Sequence, residues 1–351
     1  MLSLQIKNIV FFKLYMTALF AGLLVSFLSV KNAHSQELNI YSHRQPFLIN
    51  PFLKEFTAKT GIKTNVVYST KGLAQRLKAE GKSSPADVIL TVDIARLFVY
   101  ADMKLLAEVN SEKLSQNIPK HLRSDDNTWF GLSKRARIIV VDRDRVNTSE
   151  ITKIEDLADK RWRGRICSRP GSHVYNRALM ASLIAALGLS EAETWAGNLV
   201  ANLARRPQGN DRAQVKAIYE GQCDVAIINN YYFGKLKYSE DEVQRRWAEN
   251  LSLVFPNQGA NDRGAHINIS GGGVAKYSKN KEAAIKLLEF LSEEVSQQMY
   301  SQINFEYPVN PKVKPNKLLS SWGNFREDQI PIIEIAKLSQ EAQKIIDRVG
   351  W

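Results

Sequence analysis

Tyrosine is the residue type whose placement in this chain points to chemistry. Tyr231-Tyr232 directly follow the apolar run CDVAIINN, and Tyr175 follows the loop SRPGSH. A phenolate oxygen is a hard anionic donor, but tyrosine in water keeps its proton until about pH 10. Holding several phenolates near neutral pH takes a strong Lewis acid. Ferric ion is the physiological candidate, since three phenolates balance its three charges. Ca²⁺ and Mg²⁺ prefer carboxylates, and Zn²⁺ prefers Cys and His. The alternative is half-buried packing, the usual employment of a tyrosine at a strand end. Adjacent side chains in a regular strand also point to opposite faces. A shared ion therefore demands a bend, which Phe233-Gly234 permits. Both readings stand at this point.

Other chemistry is sparse. Two cysteines exclude a disulfide scaffold, and five scattered histidines argue against a His-rich metal enzyme. The chain has no Walker A sequence, no G-x-S-x-G and no H-E-x-x-H. Cys167 and Cys223 have no C-x-x-C partner, and no constellation for acid/base or covalent catalysis emerges, so the chain reads as a non-enzyme. A disulfide between these two cysteines is left open, because its narrow geometry is invisible in sequence.

The elements that must position these residues alternate. LNIYS, IKTNVVYS, ADVILTVD, ARIIVVD, GRICS, CDVAIINN and INISGGGVA read as strands, the last with a glycine-rich exit. Helices are expected from Asn50-Pro51 to Thr60-Gly61, over Lys71–Ala79, over Ile94–Leu106 and from Val174 to Leu187. Ser190-Glu191-Ala192-Glu193 reads as a capping box, and Asp211 as a residue near a helix cap. Strands separated by helices imply parallel βαβ units and an α/β fold, with ligands beyond the carboxyl ends of strands.

At 351 residues the length suits two domains, and 44% hydrophobic with 24% charged residues is a globular balance. Of the formal charge of +12, three charges lie in residues 1–35, at Lys7, Lys13 and Lys31. The apolar stretch Leu14–Val30 and Ala33-His34-Ser35 follow the form of a secretory signal peptide, cleaved after about Ser35. The remaining charge forms no basic block, which argues against nucleic acid.

Four segments, YSHRQPFLINPFLKEFTAKTGIKTNVVYS, RICSRPGSHVYNRALMASLIAALG, PQGNDRAQVKAIYEGQCDVAIINNYYFGKL and FPNQGANDRGAHINISGGGVAKYS, resemble the ferric-iron-binding periplasmic proteins of ABC importers (FbpA/FutA type). The resemblance implies a type II periplasmic-binding-protein fold. Lobe 1 would comprise 36–135 plus 265–310, and lobe 2 136–264 plus 311–351, with a hinge of crossing strands. It also implies Fe³⁺ bound by Tyr175, Tyr231 and Tyr232, and delivery by a monomeric periplasmic protein to an inner-membrane permease. Where one branch of the family has R-H-Y, this chain has Arg44-Gln45-Pro46, matching an R-Q-P branch. There a synergistic anion such as carbonate fills the remaining positions, with Arg44 and Gln45 as its clamp. His43 and Arg263 are candidates for supporting positions, and His266 for facing the cleft. The competing reading keeps the fold and exchanges the cargo for an organic or phosphonate-like anion clamped by Arg44 and Arg263.

Overall fold

The computed structural model describes residues 37–351, so the leader expected over 1–35 lies outside the described residues. The first half runs β1 (Glu37–Ser42), α1 (Pro46–Thr60), β2 (Lys63–Tyr68), α2 (Leu73–Glu80), β3 (Val88–Thr91), α3 (Ile94–Asp102) and α4 (Glu112–Asn117). Next come β4 (Phe130–Asp142), β5 (Ile166–Cys167), α5 (Val174–Leu187), α6 (Leu189–Ala201), α7 (Asp211–Tyr219), β6 (Val225–Asn229), α8 (Asn230–Lys237), α9 (Glu242–Glu249) and β7 (Leu251–Val254). β8 (Ile267–Val274), α10 (Lys281–Ser292), α11 (Glu294–Asn304), α12 (Lys317–Ser321), α13 (Ile332–Lys337) and α14 (Ser339–Val349) complete the chain.

Strand order is β2-β1-β3-β8-β4-β6-β5, with β7 also on β4. The outer pairs β1/β2, β1/β3 and β5/β6 are parallel, as alternating strands and helices predict. The centre departs from that expectation, because β8 runs antiparallel to β3 and β4, and β4 antiparallel to β6 and β7. The length of β4 lets it serve both sides of that centre. β4 has 13 residues; Phe130–Ala136 pair with β8, and from Arg137 onward the strand pairs with β6 and β7. One strand thus belongs to both halves.

Period-2 alternation assigns its faces. Ile139 and Val141 join a core with Trp162, Leu179, Leu183, Trp195 and Ile345. Ile138 and Val140 join the opposite core with Ile218, Ile228, Phe233 and Leu236. The first half has its own core around Ile40, Phe52, Phe56, Ile89, Leu97 and Leu287. α13 joins two of these, with Ile332 and Ala336 in the first-half core and Ile335 in the core that holds Trp162 and Leu179. Cys167 and Cys223 are joined by a disulfide across a Cα–Cα distance of 5.9 Å, answering the question the sequence left open.

Several local expectations change. α1 starts at Pro46, not after Asn50, and Pro51 lies inside it. The bond Pro51 forfeits would have gone to the carbonyl of Phe47, an exposed residue of the first turn where water substitutes. α6 opens on Gly188 without a side-chain cap, so Ser190 heads no capping box. The glycines of GGG lie within β8 rather than beyond it. A Cβ at Gly271 would sit 2.7 Å from the Phe130 carbonyl oxygen, so a side chain there would separate β8 from β4.

Candidate metal centre

β6 ends at Asn229 and α8 begins at Asn230 with no intervening loop. This turn supplies the bend that a shared site needs, earlier than the expected Phe233-Gly234. On a helix, consecutive side chains diverge by about 100° rather than pointing to opposite faces. Tyr231 and Tyr232 therefore face one way, with ring centroids 4.4 Å apart and tilted by 34°. Tyr175 arrives from a different element as the second residue of α5. Its backbone N–H donates to Nδ1 of the helix-capping His173, at 3.3 Å. Burial, reinforced by the Arg169 guanidinium, depresses the His173 pKa to about 3, keeping Nδ1 free to accept. The phenols meet where Tyr231 Oη donates to Tyr175 Oη at 3.1 Å.

Guanidinium groups surround these rings. Arg135 and Arg169 each lie 5.1 Å from the Tyr175 ring centre, and Arg212 lies 5.9 Å from that of Tyr232. Arg135 is paired with Asp93 at 3.1 Å. Arg137 and Arg169 share one carboxylate, Asp211, at 2.6 and 2.9 Å. Burial alone would raise the Asp211 carboxyl, but these two cations outweigh it and hold it below its ordinary value. Two guanidiniums on one carboxylate leave an uncompensated positive charge beneath the phenols. Asp211 is thus an ion-pair centre, and the cap of α7 is Asn210, whose Oδ1 accepts from Ala213 N. Half-buried Arg212 enters no ion pair among the described residues.

Burial, followed by the Tyr175 and Tyr232 phenols, pushes the Tyr231 hydroxyl well above its ordinary value; burial, followed by the Tyr175 phenol, pushes that of Tyr232 up to about 12. Both therefore keep their protons at neutral pH, and only a strong Lewis acid could displace them. Among the described residues no group of three or more His, Cys, Asp and Glu side chains is arranged to hold a metal. The phenols are the hard donors the fold assembles. Beside Tyr175 a cavity of about 10 Å³, lined also by Arg135, Arg137, Asn229, His266 and Asn268, has room for about one water. Larger grooves of about 1170 and 820 Å³ lie elsewhere, and neither is lined by a tyrosine.

The first-half residues are placed differently. Arg44 is 2% exposed, and donates to Glu306 Oε2 and to Ser270 Oγ, both at 2.7 Å. Gln45 is exposed at the cap position of α1 and its side chain makes no cap bond. His43 bridges Ser69 O at 2.7 Å and Tyr100 Oη at 2.9 Å, within its own half. Arg263 pairs with Asp328 and, at 3.4 Å, with Glu155. None of these four bonds to a site tyrosine. Sequence reasoning missed Arg169, Arg212, His173 and Asn230. An Asn next to the tyrosine pair and a His two residues before Tyr175 were the only signals.

The model of the bacterial extracellular solute-binding protein family matches residues 82–324. Iron uptake protein A1 of Synechocystis is 43% identical over 317 residues, spanning 90% of this chain and 88% of that protein. Apo ferric ion-binding protein A of Pasteurella haemolytica superposes with a TM-score of 0.85 at 44% identity, covering 90% of this chain and 98% of that one. The Trichodesmium protein solved in complex with iron and citrate ligands gives 0.84 at 43%, covering 90% and 99%. The fold is accordingly the two-lobed, type II fold of periplasmic binding proteins, with β4 as a crossing strand. The chain belongs to the bacterial extracellular solute-binding proteins, beside their iron-uptake and ferric-ion-binding members.

Proposed function

We propose that this protein captures Fe³⁺ through the phenolates of Tyr175, Tyr231 and Tyr232 and delivers it to an inner-membrane ABC permease after export. The observation that carries the reading is the meeting of Tyr231 Oη and Tyr175 Oη at 3.1 Å, from two separate helix starts and beside Tyr232. Relatives named for iron uptake and ferric-ion binding support it. Ferric ion exchanges three phenolic protons for one trivalent charge, and the surplus guanidinium charge then favours an accompanying anion. Carbonate is the expected one. Arg44 reaches it only by giving up Glu306 or Ser270, whereas Arg212 is already unpaired over Tyr232. Closure of the two lobes completes coordination and excludes water.

The competing cargo, an organic anion clamped by Arg44 and Arg263, gains nothing from the geometry, because both guanidiniums are engaged by carboxylates. The test is spectral titration of the purified protein with ferric citrate, with and without carbonate. An orange-red phenolate-to-iron band is expected at one ion per chain. A protein that stays colourless is not a tyrosinate iron carrier.

A further inference from the structure

α8 carries two of the three phenols, and its first residue is tied to the crossing strand β4 and to the segment that follows α11. Ala136 is the last residue of β4 paired with β8, and Arg137 is the first paired with β6, opposite Asn229. The next position along β6 would be Asn230, but there the chain has turned into the helix. The Asn230 side chain takes the strand's place, with Oδ1 accepting the Ala136 N–H at 2.9 Å. Its Nδ2 donates to the Phe305 carbonyl, also at 2.9 Å.

Phe305 ends α11 in the left-handed region at φ 56°, which a bulky residue adopts only when its surroundings hold it there. Its ring lies against Gly234 of α8, where a Cβ would come within 2.6 Å of it. The following residues extend the linkage, with Glu306 on Arg44 at 2.7 Å and Tyr307 N bonded to Lys134 O of β4 at 2.8 Å. One amide, fully buried, thus joins the phenol pair to β4 and to the 305–307 segment.

We infer that Asn230 is a positioning residue that fixes the orientation of Tyr231-Tyr232 to both segments, so that retention of the ion depends on its two hydrogen bonds. A shift of either segment is transmitted to the start of α8 and from there to two of the three donor oxygens. The inference rests on the ferric reading above.

The test loads wild type, Asn230→Asp, Asn230→Ala and the control Asn310→Ala from ferric citrate. It then follows the visible band and its rate of loss to EDTA, alongside urea unfolding. Asn310 is a matched buried amide, donating to Ser292 O at 3.1 Å away from the tyrosines. Asn230→Asp keeps the acceptor and loses the donor, so iron should leave about tenfold faster with a shifted band maximum. Asn230→Ala loses both, and extraction should speed up by about a hundredfold. Asn310→Ala should lower the unfolding midpoint while leaving band and extraction rate at wild-type values. If both Asn230 variants bind with an unshifted band and wild-type extraction rates, the amide is structural only and the inference fails. Should Asn230→Ala not fold, Asn230→Asp decides alone. A colourless wild type would instead overturn the ferric reading and this inference with it.

Discussion

The loop leaving β1 and the turn leaving β6 hold equivalent positions at the ends of their strands, and both carry polar side chains toward the middle of the molecule. They use them in opposite ways. In the first, His43 is held between Ser69 and Tyr100, and Arg44 between Glu306 and Ser270. In the second, Tyr231 finds another phenol, and the nearest guanidiniums outnumber their carboxylates. The difference is one of partners rather than of residue type. A charged group counts as a binding group only if its own half has not already neutralised it.

Four substitutions can break or sharpen that contrast. The largest effect belongs to Tyr231→Phe. Loss of a direct donor should weaken ferric binding by about a thousandfold, beyond the 10–100-fold typical of an outer partner, and shift the visible band. An unchanged spectrum would remove Tyr231 from the site. Arg44→Ala should act on folding instead. It strands the buried Glu306 carboxylate and should cost about 3–5 kcal/mol in urea unfolding, with most of the loss recovered when Glu306→Leu is added to Arg44→Leu. A small stability loss with abolished carbonate dependence would restore Arg44 as the anion clamp.

His43 offers a pH signature of the same spent loop. Burial, strengthened by the Arg96 charge, lowers its pKa to about 4, against an ordinary value near 6.5. The folded state refuses a proton that the unfolded chain accepts, so this group's contribution is complete above pH 6.5 and is lost as pH falls toward 4. The loss should reach about 3 kcal/mol, and the stability difference between wild type and His43→Gln should follow that window. A difference independent of pH would mean that His43 titrates normally. The smallest effect is expected from Arg212→Ala. It should reduce iron affinity about tenfold in the presence of carbonate and leave the unfolding midpoint unchanged.

These contrasts also mark what the sequence could and could not reveal. That Tyr175, Tyr231 and Tyr232 deserved a place in the proposal was legible because tyrosines at strand exits stand out in a chain with few other metal donors; the structure adds that they lie together. α5 was legible as a helix from about Val174 to Leu187, because its apolar run ends at Gly188. The antiparallel centre of the sheet was not, since a strand shared by two halves has the same period-2 pattern as a strand of one. Asp211 looked like a cap because local spacing cannot disclose Arg137, 74 positions away. Arg44 looked free for the same reason, its partner Glu306 being 262 positions distant. The bend at Asn229-Asn230 escaped notice because the Asn side chain that replaces a strand bond acts through tertiary contact, not through propensity.

The stability of the tyrosine-bearing half adds a check on the comparison. The disulfide closes a separation of 56 residues, and removing it with Cys167→Ser and Cys223→Ser should cost about 4 kcal/mol in the chain-entropy account. The iron band of the folded variant should change little, since the cysteines share a core with the Tyr232 ring but bond to none of the phenol oxygens.

The central claim is that the ion sits on three phenol oxygens, and an anomalous difference map at the iron edge, from crystals loaded with ferric citrate, tests it most directly. The account predicts a single strong peak within bonding distance of the Tyr175, Tyr231 and Tyr232 oxygens. A peak on the His43 and Arg44 loop or on surface carboxylates, with none at the phenols, would contradict it.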